Sequence, residues 1–428
     1  MDTEFNWQNC WYPVVFVEDL PKRKPYAFSL YNEPMVLFRN EKGDLACAAD
    51  RCPHRAARLS DGHLIDGKLE CLYHGWQFNA AGECTRIPQL APDKKIPATA
   101  CLKSHVVVEC QGMVWVWVGA PDLAAIADIP SIVALDNPDV ISVDYTIDLP
   151  YDQTYLIENV IDVAHIHIAH HGLRGGGHRD YALPLEFDIL EDSVKGIRAT
   201  YRSIGLNQNR DEAKTGTAHL DFIAPNLISY TSKYQKSELI AGLALYSIPL
   251  AKGKCRLLYR KYSNFYSWRE RIKPKWLDHW NQNEILQQDM ALIIGQYSEI
   301  ERSQQNAKDL WLPIKSSDTL VIHYRKWLDK YAAATPFYRG YATHKTVPHL
   351  SDQHPYDVFS IHTQNCTSCL RAYRFTKQLQ KIVIALILIL LPLLFVFAGA
   401  AYSHVILFSY LGLVLMTWVT QKIRLRFE

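Results

Sequence analysis

Apolar positions along the chain change period twice, and each regime predicts a different kind of element. Up to about residue 120 they fall in short β-branched or aromatic runs: Val14–Val17, Met35–Phe38, Asp44–Ala48, Val106–Glu109 and Met113–Val118. Turn signals such as Lys42-Gly43-Asp44, Asp61-Gly62 and Asp66-Gly67 separate them. Short runs punctuated in this way read as antiparallel strands, and a small barrel or sandwich is expected. Farther on, Glu158–Gly172 and Trp276–Ile294 have helical character. Near the end come two uncharged stretches, Ile382–Ala401 and Val405–Thr420.

The first uncharged stretch has twenty residues, about one bilayer crossing at ~1.5 Å rise per residue. The second is shorter and needs Tyr402, Ser403 and His404 at the interface. Pro392 lies inside the first span, where a neighbouring helix can compensate for the lost backbone bond. Arg371, Arg374, Lys377 and Lys381 precede the pair, Lys422, Arg424 and Arg426 follow it, and the connecting turn has neither Lys nor Arg. The positive-inside rule then predicts a hairpin anchor with both ends on the cytoplasmic or stromal side. The competing reading is a buried core hairpin.

Composition sets outer limits. The 428 residues are 48% hydrophobic and 21% charged, with a formal net charge of +2. No basic run with interleaved aromatics occurs, so no nucleic-acid partner is expected. The start, Met1-Asp2-Thr3-Glu4, resembles neither a signal nor a transit peptide; either no import is needed or a leader is missing. Ten cysteines are present without the spacing of an extracellular disulfide framework. Cys10, Cys47, Cys84, Cys101, Cys110 and Cys255 stand alone and read as small core residues.

Two short loops carry metal chemistry: Cys52-Pro53-His54-Arg55 and Cys71-Leu72-Tyr73-His74-Gly75-Trp76. Each offers one thiolate and one imidazole. A Rieske cluster needs this set, with two thiolates on one iron and two imidazoles on the other. A zinc site can also use two Cys and two His, but usually pairs like with like within each loop.

A second constellation begins at Glu158. Asn159, Asp162 and His165 are three apart and share a stripe if helical. His165 and His170 are five apart, about 140° around a straight helix, so both reach one metal only if the helix bends or ends. Gly172 and Gly175-Gly176-Gly177 supply freedom for that. Two histidines and a carboxylate make the facial triad of non-haem Fe(II) sites. The carboxylate must come from elsewhere. Asp289 is the candidate, because Ile285, Leu286, Leu292 and Ile293 flank it at helical spacing and an anion on such a face is costly unless paired. Glu284 and Asp278 are rivals with more polar neighbours. His167 and His171 read as pocket residues, with His171 the stand-in for His170.

These motifs together resemble the Rieske non-haem iron oxygenases. Asp148-Leu149-Pro150-Tyr151, Leu156-Ile157-Glu158-Asn159, Ala169-His170-His171-Gly172-Leu173 and the late Cys366-Thr-Ser-Cys369 before two apolar spans resemble one branch. That branch holds pheophorbide a oxygenase, protochlorophyllide oxygenase and a translocon-associated Rieske protein. His167 and Ile168 stand where its members tend to carry proline and an aromatic residue.

The resemblance implies an α+β chain with four parts. These are an all-β Rieske domain (1–125), a mononuclear iron domain with an antiparallel sheet and helices in a helix-grip-like arrangement (126–345), a linker (346–380) and a transmembrane hairpin (381–421). It implies a [2Fe–2S] cluster on Cys52, His54, Cys71 and His74, and Fe(II) on His165, His170 and Asp289. It also implies a ferredoxin or reductase as electron donor, a hydrophobic ring substrate such as a chlorophyll-derived tetrapyrrole, and a homotrimer. In that trimer Asp162, with Asn159 beside it, would bridge one subunit's cluster to the next subunit's iron. Phe222, Tyr230, Tyr246, Tyr259, Phe265 and Trp268 are either pocket walls or plain core. For Cys366 and Cys369 three readings stand open. One is a redox switch reduced by thioredoxin. Another is a metal site, which needs two further ligands where only His362 is near. The last is an inert pair. The rival function is a redox sensor or electron carrier that uses the cluster without oxygenation.

Overall fold

The computed structural model describes residues 4–174, 176–204, 218–233, 239–265, 272–345, 357–397, 399 and 403–428. Trp268, the linker stretch 346–356 and Tyr402 lie outside them. The chain divides into two compact units, residues 1–271 with 285–352, and residues 272–284 with 353–428.

In the first unit the N-terminal strands are β1 (Trp11–Phe16), β2 (Tyr26–Leu30), β3 (Glu33–Arg39), β4 (Leu45–Ala49), β9 (Ser104–Cys110) and β10 (Met113–Trp117). They form one antiparallel sheet in the order β1-β10-β9-β4-β3-β2. Between β4 and β9 the chain builds a second small sheet, β5 (His63–Ile65), β6 (Lys68–Glu70), β7 (Gln77–Phe78) and β8 (Cys84–Arg86). The expected all-β domain is there.

Next comes a seven-stranded antiparallel sheet of β11 (Ile141–Leu149), β12 (Leu185–Ser193), β13 (Gly196–Ser203), β14 (Ala218–Ile223), β15 (Leu227–Lys233), β16 (Ile240–Ala251) and β17 (Lys254–Ser263). Its order is β11-β17-β16-β15-β14-β13-β12. Helices α1 (Gln153–Ile161) and α5 (Lys315–Tyr331) cover it. Ile157, Ile161, Leu320, Tyr324, Trp327 and Leu328 pack on Ala199, Leu220, Phe222 and Ile228. The unit also holds α2 (Ile166–Ala169), α4 (Ala307–Leu310) and most of α3 (Lys275–Ser303).

The boundary expected at residue 125 is not a boundary in packing. Every residue of β1 and β10 is buried, which demands apolar neighbours on both faces of a strand. The second face comes from the large sheet: Leu227, Ala244, Tyr246 and Tyr262 share one core with Trp11, Tyr12, Val114 and Trp115. Two buried arginines of β17 add polar rivets. Arg256 donates to both Asp148 oxygens (2.6 and 3.1 Å) and to the Tyr26 hydroxyl (2.5 Å). Arg260 does the same to Asp144 (2.6 and 2.8 Å) and to the Gln111 carbonyl (2.5 Å).

In the second unit α6 (Val358–Ile361) leads into α7 (Thr367–Val396), and α8 (Ser403–Leu425) returns alongside. α7 starts well before residue 381, so the expected linker is partly helical. Gln380 donates to Gln421 (2.8 Å) and accepts from Arg424 (2.8 Å), which fixes the two helices antiparallel. Both helices are long and apolar enough to cross a membrane. Only 11% and 6% of their most apolar windows are buried, which removes the reading of a buried core hairpin.

Arg256→Ala is expected to lower the unfolding midpoint of the purified protein by the equivalent of at most about 3–5 kcal/mol, because it leaves the mostly buried Asp148 carboxylate with only Lys254 among the described residues, at 3.9 Å. Thermal denaturation followed by circular dichroism checks this.

Candidate metal centres

The two Cys/His loops are built alike. In the first, the Cys52 N–H donates to the Ala57 carbonyl (2.9 Å) and the Ala56 N–H returns to the Cys52 carbonyl (3.0 Å). In the second, Cys71 N–H meets the Trp76 carbonyl (2.8 Å) and Gly75 N–H the Cys71 carbonyl (2.9 Å). Ala56 and Gly75 both take positive φ, 59° and 71°, turning each loop so that its histidine faces outward while its cysteine goes in. Both cysteines are buried. Burial pushes the Cys52 thiol up to about 11, with backbone N–H groups of His54 and Arg55 opposing it and Cys71 adding to it; an iron charge nearby would reverse this. The His54 and His74 rings lie 4.5 Å apart, and His54 stacks flat on Trp76 at 4.7 Å. Beside them Leu72 and Tyr73 are each 60% exposed.

This set does not converge on a point. Among the described residues, two groups have three or more potential ligand atoms all within 4.8 Å of one another, and the four loop residues are not one of them. A single zinc would draw four ligands together, whereas a two-iron cluster holds thiolates and imidazoles on different metals. The loops fit the cluster.

One of the two convergent groups is His165, His170 and Asp289. Helix α1 ends at Ile161, with Asp162 as its cap. The stripe of Asn159, Asp162 and His165 is therefore not one continuous helix, because Asp162 leaves helical geometry at ψ 94°. His165 and His170 are instead the two caps of the single turn α2, which swings both rings to one side, 5.3 Å apart. Gly176 and Gly177 hold this turn in place. A Cβ on Gly177 would lie 2.6 Å from the His167 Cα, and one on Gly176 only 2.2 Å from the His170 carbonyl oxygen.

Asp289 arrives from α3, on the buried stripe of Leu286, Met290, Ile293, Tyr297 and Ile300. Leu292, expected to flank it, is exposed. Asp289 Oδ1 is 3.1 Å from His170 Nε2 and 3.6 Å from His165 Nε2, yet it is buried without a well-aimed hydrogen bond. Its charge draws the pKa of His170 up against burial, and Gln288 adds to this. In short, an unsatisfied buried carboxylate oxygen faces two imidazole nitrogens, which is a donor set that a divalent cation fits. The rivals are engaged elsewhere, Asp278 with Lys273 and Glu284 with Arg426.

Around the triad, Gln288 Oε1 lies 3.0 Å from His170 Nδ1, and Asp162 Oδ2 lies 3.6 Å from His165 Nδ1. His167 and His171 accept from the backbone of His178 and Arg179 through their Nδ1 atoms, and neither belongs to the convergent group. A cleft of about 380 Å³ opens beside His165, lined by Asn159, Asp162, Leu292, Gln296, Trp311 and Leu312 among others.

Residues 10–106 match the family described as Rieske [2Fe-2S] domain, and residues 222–307 match pheophorbide a oxygenase. Pheophorbide a oxygenase from Oryza sativa subsp. japonica is 32% identical over 89% of this chain and 76% of its own length. The chain belongs to the Rieske oxygenase family that includes pheophorbide a oxygenase. Protein TIC 55 of Arabidopsis thaliana, also chloroplastic, is 35% identical over 79% of the chain, which spans 62% of that relative's length. In fold, this Rieske oxygenase chain resembles the crystal structure of dicamba monooxygenase bound to dicamba. The TM-score is 0.63 at 21% identity, covering 76% of this chain and 97% of that one.

Sequence reasoning missed Gln288 and the buried pair Glu158–Arg325 (2.5 Å). The adjacency of Gln288 to Asp289 was the available signal; nothing local pairs Glu158 with a residue so far along the chain. Of the aromatics, Phe222 and Tyr246 are plain core, Tyr230 donates to the Val160 carbonyl at the end of α1, and Phe265 is exposed.

Gly177→Ala is expected to empty the mononuclear site while the cluster stays intact, since the added methyl displaces the turn that carries both histidines. Asp289→Ala is expected to do the same by removing a ligand. Iron content should fall by one of three irons per chain in both variants, with the visible and EPR signals of the cluster unchanged.

Proposed function

We propose that the chain is a Rieske-type oxygenase that inserts oxygen from O2 into a hydrophobic ring substrate, a chlorophyll-derived tetrapyrrole of the pheophorbide a or chlorophyllide kind. The observation that carries this reading is the convergent triad of His165, His170 and Asp289, with His165 partly open to the cleft: three potential ligands on one side, with the rest of the coordination sphere left to other molecules. A pure electron carrier has no use for such a site. When bound, a [2Fe–2S] cluster on Cys52, His54, Cys71 and His74 supplies single electrons, and Fe(II) on the triad supplies open positions for O2.

The chain's own groups prepare that site. Gln288 Oε1 only accepts, so it keeps the His170 proton on Nδ1 and leaves the Nε2 lone pair for a cation. Asp162 faces His165 Nδ1 in a similar way but from 3.6 Å, outside hydrogen-bond distance. One of its oxygens is tied to the Ala164 N–H (2.9 Å); the other points toward His165 Nδ1, and the side chain is 29% exposed. That exposure leaves Asp162 able to accept from a cluster histidine of a second copy, with Asn159 lining the same cleft. The reading therefore extends to a homotrimer in which the tip of exposed Leu72 and Tyr73 and half-buried His74 approaches a neighbour's cleft. A ferredoxin would reduce the cluster. The helix pair would anchor the body to a membrane with both its ends on the cytoplasmic or stromal side, where a hydrophobic pigment partitions.

Incubating the dithionite-reduced protein with O2 and a panel of chlorins is expected to give products heavier by one or two oxygen atoms. Oxidation of the cluster with every chlorin recovered unchanged would favour the carrier instead. Asp162→Asn is expected to retain both metals and to slow re-oxidation of the cluster by O2 and substrate about 10–100-fold, read by stopped-flow absorbance. Normal turnover in this variant would remove the bridge.

A further inference from the structure

The second convergent group of potential ligands is His279, His362, Cys366 and Cys369, all buried and all within the second unit. His279 lies near the start of α3. His362 follows α6, Cys366 caps α7, and Cys369 sits in its first turn. Backbone bonds knit the local part: the Asn365 and Cys366 N–H groups both meet the His362 carbonyl, at 2.9 and 3.1 Å. The side-chain atoms then close on one point. His279 Nδ1 is 3.3 Å from Cys369 Sγ and 3.5 Å from Cys366 Sγ, and His362 Nε2 is 3.2 Å from Cys369 Sγ. All four donor atoms lie within 4.8 Å of one another.

We propose that these four residues form a structural metal site, separate from both iron centres, that holds one zinc ion in a closed tetrahedral S2N2 shell. With Zn–S of ~2.3 Å and Zn–N of ~2.1 Å, a tetrahedron has S···N edges of about 3.6 Å, and the measured distances are just inside that. Two thiolates and one Zn2+ sum to zero charge, which suits a chamber walled by Trp276, Trp280, Tyr373 and Phe427. A two-iron cluster would spread its ligands over two metals, so a single ion is specified. Four protein ligands leave no open position, which makes the site structural and not catalytic. The ion would pin the start of α3 to the chain just before the apolar helix pair.

The competing state is a Cys366–Cys369 disulfide, the oxidised form of a thioredoxin-type switch. It uses neither histidine, although both are brought onto the sulfurs.

The test uses the full chain purified in detergent. Metal analysis is expected to find about one zinc per chain besides the irons. His279→Ala and Cys369→Ser should each lose that zinc while the cluster absorbance and iron content persist. Should these variants not fold, zinc-edge X-ray absorption of the unaltered protein decides alone: two sulfur neighbours at ~2.3 Å and two nitrogens at ~2.0–2.1 Å support the site. A nitrogen/oxygen-only shell would mean zinc misplaced in the iron triad, and would overturn it. So would protein free of zinc with a Cys366–Cys369 disulfide in non-reducing mass spectrometry, or zinc retained by both variants.

Discussion

A carboxylate shut away from water must find a cation or a proton. Two buried carboxylates in the first unit meet that demand differently. Glu158 carries its own partner. Burial pushes its pKa up, but Arg325, itself fully buried, opposes this at 2.5 Å. It needs nothing from outside. Among the described residues Asp289 has no such arginine; its ion pairs there are with His165 and His170, and a neutral imidazole carries no charge. What is missing is positive charge at the point where three ligand atoms meet. The early end of α1, the one-turn α2 and the glycines pressed beneath it exist to hold that unmet demand in one place.

Geometry of that kind is only useful if the electron source is also held still. The small β-domain is not hung on a linker. Its two most buried strands share a core with the large sheet, and Arg256 and Arg260 reach from β17 into Tyr26 and Gln111. Buried ion pairs of this sort add little net stability compared with apolar packing, but breaking one partner is costly. Their effect here is on register. Each guanidinium keeps a fork on a carboxylate of β11 in its own sheet and turns one nitrogen to the small domain, so sliding the domains breaks the Tyr26 and Gln111 contacts.

How much of this was legible followed the distance along the chain over which each site is assembled. The cluster loops are local, with Cys and His two or three residues apart, and their mixed composition already set them apart from zinc spacing. The histidines of the triad are local too, and Asp289, though far away, betrayed itself as a charge on an apolar stripe. The break after Ile161 was not legible, because Asp162 ends the helix without the glycine or proline that usually announces it. His279 was invisible for another reason. It lies in a helix rich in Trp and polar residues, and only the fold brings it to His362 and the cysteine pair. Phe222 and Tyr246 show the converse: in a sheet packed on both faces, aromatic content predicts core before it predicts a pocket.

The ligand sets also sort by chemistry. Where two thiolates and two imidazoles close tightly in an apolar chamber, no ligand position is left and a soft, redox-inert ion is favoured. Where the same four residue types sit on two separate loops, the charge is divided between two metals, and the imidazole side is left at the surface, where an electron must leave. Where sulfur is absent and a carboxylate replaces it, the set hardens, loses its fourth protein ligand and opens toward small molecules. One chain would thus separate a redox-inert structural ion, an electron relay and an O2-activating centre by whether sulfur is present, how the sulfurs are spaced and how exposed the nitrogens are. A bare count of Cys and His, read without their spacing, cannot distinguish the first of these from the second.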